Sequence, residues 1–131
     1  MNLFLLDAGG AGLVFYFYGL IVLFMLLTVM LELAVMILMK YNIRFKKAFL
    51  DSLIVNVASL AAGFILWKVF PGFFNGYTVL NFTVLYVITV LIEFGLLHLL
   101  NRKHKSIDTL KVTVVMNLVT YVLLIILTGL D

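Results

Sequence analysis

The sequence predicts an all-α membrane protein, a four-transmembrane-helix bundle built from two duplicated helical hairpins. Three observations lead to this fold class: a very high hydropathy, four long apolar runs, and a pattern of polar residues that occurs twice. Of the 131 residues, 66% are hydrophobic and 11% are charged, and the mean hydropathy is +1.27. Soluble domains carry about 25% charged residues, so a soluble fold of this length could not bury so much apolar surface.

The apolar runs lie at about 13–39, 48–70, 77–100 and 109–130. Each has the roughly 20 residues that a helix needs to cross a hydrocarbon core of about 30 Å. Only helices and closed barrels satisfy every backbone group in lipid, and barrel strands would be about 10 residues long with alternating polarity. We therefore expect four helices in a single integral membrane domain over 1–131, with no separate enzyme module. Residues 1–12 are expected to form a short tail, and Pro71-Gly72 and Asn75-Gly76 to mark a turn.

The positive charges predict the orientation of these helices. Eight of the nine Lys and Arg residues lie in or beside two basic turns, at 40–47 and 101–111. Cytoplasmic loops carry such an excess, so we expect both turns in the cytoplasm and both termini outside, in an integral, multi-pass protein of the cell (inner) membrane. The hairpins, at about 13–70 and 77–130, then form a parallel repeat with a pseudo-two-fold axis along the membrane normal.

Ten polar residues inside the apolar runs carry the repeat. The residues of the first hairpin recur 61 positions later without a gap, as the pairs Thr28 and Thr89, Glu32 and Glu93, Ser52 and Thr113, Asn56 and Asn117, and Ser59 and Thr120. Counting about 11 to 13 residues from the centre of each turn puts the glutamates and asparagines at one depth, roughly 15 Å from the turns. In the first hairpin, Gly63 lies on the same helix face as Ser52, Asn56 and Ser59. Stripes of small and polar residues let membrane helices approach closely, so we expect all of them to face a common centre.

The two glutamates are the strongest candidates for a functional site. A carboxylate near the middle of a bilayer costs about 2.5–3.5 kcal/mol on insertion scales, and Gln or Asn would serve helix packing without that cost. No Lys or Arg is expected at the depth of Glu32 and Glu93, and two like charges in apolar surroundings should not both stay ionised. We therefore expect the pair to hold at least one proton or to bind a cation. The Ser, Thr and Asn positions are also consistent with simple packing contacts.

Three classes of function fit these residues. The first is a transport or channel protein in which the glutamates bind a proton, a cation or a cationic solute, with Asn56 and Asn117 as hydrogen-bond partners. The alternative is a non-catalytic structural or assembly subunit of a larger membrane complex, whose Glu/Asn layer holds the helices together. The third is an enzyme acting on a membrane lipid or quinone, which would have only carboxylates and His98 for its chemistry.

The composition also bounds the partners. The chain has no cysteine, which excludes thiolate metal sites and thiol catalysis, and no motif indicates a cofactor or a metal site. The clustering of the cations in turns argues against nucleic acid, although the turns could contact anionic lipid headgroups. Besides membrane lipids, we expect either further copies of the chain or a partner membrane subunit, because four helices enclose little lumen.

Overall fold

The structure is a computed structural model that describes residues 3–74 and 79–128. Its elements are α1 (Leu3–Leu38), α2 (Phe45–Val69), a short 3₁₀ helix (Pro71–Phe74), α3 (Val79–Leu100) and α4 (Ser106–Thr128). Four segments are long and apolar enough to cross a membrane: Tyr18–Leu38, Phe45–Val69, Leu80–Leu100 and Ser106–Leu127. The prediction of an all-helical chain with four helices of spanning length is therefore confirmed.

Three helix starts differ from the predicted ones. α1 begins at Leu3, well before the expected span, because glycines in its first turns weaken a helix by only about 1 kcal/mol each and do not end it. α2 begins at Phe45 and α4 at Ser106, so the connections shorten to 39–44 and 101–105 and several basic side chains lie on helical turns. Lys and Arg are good helix formers, so their charge does not stop a helix. The Asn75-Gly76 turn and the expected start of the third span lie outside the described residues.

Each long helix packs mainly against two others. α1 and α3 both contact α2 and α4, so α1 and α3 lie diagonally across the bundle from each other. A hydrogen bond from Asn101 to Asp51, with one from Asn42 to the same carboxylate, brings the connections 39–44 and 101–105 together at one end. We call this end the loop end and the opposite end of the bundle the open end.

The tightly packed core occupies only the half of the bundle nearest the loop end. Among the side chains that the structure describes, every buried one lies within 28–55 or 90–117, including Met36, Leu97 and Met116. Towards the open end the described side chains are half-buried or exposed. Among the described residues, no atom of another helix lies within 4 Å of the position that a Cβ on Gly63 would take. The described part of the chain therefore lacks the close helix contact expected at Gly63.

The connection after α1 turns sharply and inserts Tyr41 into the core. Tyr41 N donates to Met36 O at 2.9 Å and Lys40 N donates to Ile37 O at 3.0 Å, which are the paired bonds of a Schellman motif. Lys40 has a left-handed φ of 54°, where glycine is usual and a side chain costs roughly 1–2 kcal/mol. The Tyr41 hydroxyl lies 2.9 Å from Thr109 Oγ1. Burial raises the pKa of the Tyr41 phenol, so the hydroxyl stays neutral and able to donate.

The buried carboxylate of Asp51 joins the two connections. Its Oδ2 accepts hydrogen bonds from Asn42 Nδ2 at 3.1 Å and from Asn101 Nδ2 at 2.8 Å. Lys47 Nζ lies 2.9 Å from the same oxygen. An anion removed from water loses several kcal/mol of hydration unless such donors replace it, so these three partners make the burial of Asp51 tolerable.

Replacing this carboxylate should weaken the whole bundle. Asp51→Ala leaves two buried amides and a lysine without their acceptor, and we expect it to lower the free energy of unfolding by about 2–3 kcal/mol. Unfolding of the detergent-solubilised protein by sodium dodecyl sulfate would measure this change. Asp108→Ala is the control, since it removes an exposed acid and should change the free energy by less than about 0.5 kcal/mol. Equal losses in the two variants would contradict the role given to Asp51.

Candidate functional site

The polar residues of α1 and α2 converge on the Glu32 carboxylate. Ser52 Oγ donates to Glu32 Oε2 at 2.8 Å, and Asn56 Nδ2 donates to the same oxygen. Asn56 Nδ2 also lies 2.9 Å from Ser52 O. Thr28 Oγ1 donates to Met25 O at 2.8 Å and lies 3.4 Å from Asn56 Oδ1. Glu32 is only 1% exposed. Donors from the neighbouring helix therefore hold a carboxylate that water hardly reaches.

The Glu93 carboxylate is held by two different helices. Asn117 Nδ2, on α4, donates to Glu93 Oε2 at 2.6 Å. Ser59 Oγ, on α2, donates to Glu93 Oε1 at 2.8 Å. Glu93 is also 1% exposed. The bond from Ser59 joins the first pair of helices to the second pair, so the two carboxylates belong to one connected layer. We call Glu32, Asn56, Glu93 and Asn117 together the Glu/Asn layer.

The hydroxyl groups nearest the loop end differ between the two halves of the chain. Ser52 donates to Glu32, whereas Thr113, at the matching position, donates to Thr109 O at 2.8 Å. A buried threonine on a helix readily bonds to the carbonyl four residues earlier. Thr113 is fully buried, and its hydroxyl is satisfied by its own helix without reaching a glutamate.

The hydroxyl groups nearest the open end differ as well. Ser59 donates to Glu93, whereas the buried hydroxyl of Thr120, at the matching position, has no hydrogen-bond partner among the described residues. Buried polar groups are nearly always paired with protein or with water. An unpaired Thr120 hydroxyl beside the Glu/Asn layer therefore indicates a place where water or a ligand can bind.

A cavity of about 460 Å³ lies on the open-end side of the two glutamates. All four residues of the Glu/Asn layer line it, as do Thr28, Ser59, Thr89 and Thr120; Ser52 and Thr113 do not. Its other walls are largely apolar side chains of α1 and α4, with Tyr121 OH 3.3 Å from Thr89 Oγ1. Leu20 and Ile21 in the wall are exposed, and the cavity is only partly enclosed. We call it the layer cavity.

In the part of the chain that the structure describes, no basic side chain bonds to either glutamate or lines their cavity. Among the described residues, the one ion pair joins Lys47 to Asp51 at the loop end. The donors to Glu32 and Glu93 are neutral hydroxyls and amides. Neutral donors stabilise a carboxylate but leave its charge uncompensated, and an uncompensated charge is expensive in such surroundings. The arrangement can therefore hold a proton or accept a cation.

His98 lies outside the layer cavity. Its ring stacks on Phe94 with the ring centroids 5.9 Å apart, and its Nε2 lies 3.4 Å from Ser106 Oγ. The layer cavity is lined by carboxyl, amide and hydroxyl groups. In the described part of the chain, the histidine and the glutamates thus do not share a cavity, as a joint acid–base site would require.

Sequence reasoning missed the polar cluster at the loop end. Asp51 was counted as part of an apolar run, although it is buried and accepts from Asn42 and Asn101. One local signal was present: Lys47 stands four residues before Asp51, a spacing at which side chains on a helix meet. The contacts with the two asparagines depend on how the connections fold, and no spacing in the sequence predicts them.

Comparison with protein families, with curated proteins and with solved structures found no match to this chain. The fold and the site describe a bundle of four apolar helices of spanning length that buries two carboxyl groups beside an open cavity.

The bond between Ser59 and Glu93 can be tested by a double-mutant cycle. Ser59→Ala and Glu93→Ala should show a coupling free energy of about 0.5–1.5 kcal/mol, the range of hydrogen bonds between membrane helices. Alanine is used at position 93 because glutamine would keep an oxygen that accepts from Ser59. Unfolding by sodium dodecyl sulfate would measure the two single variants and the double variant. Ser52→Ala with Glu93→Ala is the matched control and should show a coupling near zero, because Ser52 bonds to Glu32. Equal coupling in both cycles would contradict a direct bond.

Proposed function

We propose that the chain is a small multi-pass membrane transport or channel protein whose Glu/Asn layer binds a proton, a cation or a cationic solute. The observation that carries the proposal is the layer cavity, whose lining includes both glutamates although each is only 1% exposed. Ligand sites are commonly clefts of about 300–1,000 Å³ with apolar walls and a few convergent polar groups. The layer cavity, at about 460 Å³, has this size and lining. The carboxyl groups would attract a cation, and the apolar walls would contact its organic groups, so an organic cation is favoured as the ligand.

Each residue of the site has a role in this proposal. Glu32 and Glu93 supply the negative charge that attracts the cation. Asn56 and Asn117 fix the orientation of the carboxyl groups through the hydrogen bonds that they donate. The unpaired Thr120 hydroxyl is a further contact for the ligand or for its water. The supporting positions are Thr28, Ser52, Ser59, Thr89 and Thr113.

We also propose that the bundle consists of two duplicated hairpins, at about 13–70 and 77–130, related by a pseudo-two-fold axis along the membrane normal. In support, Glu32 accepts from Asn56 and Glu93 accepts from Asn117, and the two residues of each pair are 24 positions apart. The charge bias favours a cell (inner) membrane protein with the basic segments 40–47 and 101–111 in the cytoplasm and both termini outside. The layer cavity would then face the outer side.

A second function is favoured by one observation, the hydrogen bonds that each glutamate already accepts from a hydroxyl and an amide. Such a paired layer would also suit a non-catalytic structural or assembly subunit of a larger membrane complex. Either function is consistent with a homo-oligomer or a partner membrane subunit. The open cavity ranks transport first, since a layer that serves packing alone has no use for an opening.

The protonation of the pair can be tested by infrared spectroscopy. At neutral pH without added cations, the wild-type protein should show the band of a protonated carboxyl group, because two like charges in apolar surroundings resist ionisation. The double variant Glu32→Gln/Glu93→Gln should lose that band, and Asp108→Asn should keep it. A spectrum in which both glutamates are ionised without a bound cation would contradict this part of the proposal.

The cation site can be tested with tetraethylammonium and tetraphenylphosphonium as small and large probes. Equilibrium dialysis would measure binding to the detergent-solubilised protein, and uptake into proteoliposomes would measure transport. Glu32→Gln and Glu93→Gln should each weaken binding by more than about tenfold, because a desolvated cation loses its charged partner. Asp108→Asn should change neither measurement. Wild-type binding and uptake in both glutamine variants would exclude the glutamates as the cation site. Absence of binding and uptake in the wild-type protein would reject transport and favour the structural subunit.

A further inference from the structure

A second cavity, of about 650 Å³, lies at the loop end between the two connections. Six basic side chains line it, from both connections and the start of α2: Lys40, Arg44, Lys47, Arg102, Lys103 and His104. It shares no lining residue with the layer cavity. We call it the loop pocket.

The loop pocket carries an excess of positive charge. In the described part of the chain, the one ion pair is that of Lys47 with Asp51. Lys40, Arg44, Arg102 and Lys103 are exposed and have no such carboxylate partner there. Like charges around one concave surface repel each other, and an anion bound among them would relieve the repulsion.

Membrane orientation alone does not explain this convergence. An orienting bias requires only that cations lie in the cytoplasmic loops, wherever they point. Lys46 and Lys105 belong to the same segments and are exposed, yet they do not line the loop pocket. Some basic side chains of these segments therefore line the loop pocket and others do not, so the second group can serve as a control for the first.

Lys40 gives an independent reason to regard the pocket as built. It occupies the left-handed position that ends α1, with a φ of 54°. Glycine would take this position without strain. A strained residue that persists in a structure is a pointer to function, and Lys40 is one of the residues that line the loop pocket.

The floor of the pocket is held in place by hydrogen bonds. Asn42 and Asn101, from opposite connections, both donate to the buried Asp51 carboxylate. The ring of His104 stacks on that of Tyr41 with the centroids 4.3 Å apart. The two connections are thus fixed relative to each other before any ligand arrives, which reduces the entropy lost on binding.

We propose that the loop pocket binds a phosphate group, with Arg44 and Arg102 as its main ligands. Arginine presents paired N–H groups that match phosphate oxygens, and such charge-assisted bonds are about twice as strong as neutral ones. Ile43, Leu99 and Leu100 in the wall are exposed apolar side chains. This apolar rim favours a phosphate carried by an anionic lipid headgroup over a free phosphate. The site does not depend on cation binding at the Glu/Asn layer.

Binding can be tested on the full chain in a non-ionic detergent. Phosphatidylglycerol and inorganic phosphate would be titrated separately, and NMR would follow the backbone amides of 40–44 and 101–105. We expect saturable shifts with the lipid in the wild type. Arg44→Gln/Arg102→Gln should weaken binding by about tenfold or more, because two charge-assisted contacts are lost. Lys46→Gln/Lys105→Gln removes the same charge outside the pocket and should leave the affinity within about twofold of the wild type.

A charge-conserving variant provides a second test in case the glutamine variant fails to fold. Arg44→Lys/Arg102→Lys keeps the net charge, and lysine cannot make the paired contacts of arginine, so it should bind more weakly than the wild type. Saturable binding of inorganic phosphate with the same variant pattern would support the pocket and assign it to a free phosphate. Equal weakening in the pocket variants and the Lys46/Lys105 control would overturn the proposal in favour of diffuse charge attraction. Absence of saturable shifts with both probes would also overturn it.

Discussion

The rest of the structure depends on the burial of two carboxyl groups, Glu32 and Glu93, without a basic side chain among the described residues beside them. Each needs donors at its own depth, and the donors must come from other helices. Ser52 and Asn56 meet this need for Glu32, and Asn117 and Ser59 for Glu93. These bonds fix which faces of the helices point inwards. Because unpaired polar groups are costly in apolar surroundings, rotating a helix away from this layer would lose these bonds at a cost in stability.

The level of the Glu/Asn layer could be predicted from the sequence, whereas its detailed pairing could not. A regular helix has a constant rise per residue, so the number of residues from each turn predicts that the glutamates and asparagines lie at the same depth. The hydroxyl partners depend on side-chain torsions instead. Ser52 reaches a glutamate, while Thr113 bonds to its own helix. The Asp51 cluster was missed because Asn42 and Asn101 meet there only through the folded connections.

The chain separates its charges by depth. The uncompensated carboxyl groups lie inside the bundle, whereas the basic side chains gather at the loop end around a concave surface. Such a distribution attracts cations towards the carboxyl groups and anions towards the basic side chains, at two separate places. Asp51 is an exception, because its carboxylate lies at the basic end of the bundle. It stabilises the fold by bonding to Asn42, Asn101 and Lys47. The two cavities therefore have linings of opposite charge and share no residue.

The uneven packing along the bundle has a consequence for local unfolding. Openings of a folded chain begin where few apolar contacts must be broken, and the described side chains near the open end are half-buried or exposed. The half containing Met36, Leu97 and Met116 has many buried contacts that an opening would break, whereas the other half has few among the described residues. Amide hydrogens should therefore exchange sooner near the open end than near the loop end. A breathing motion of this kind would widen the route to the glutamates and leave the folded core unbroken.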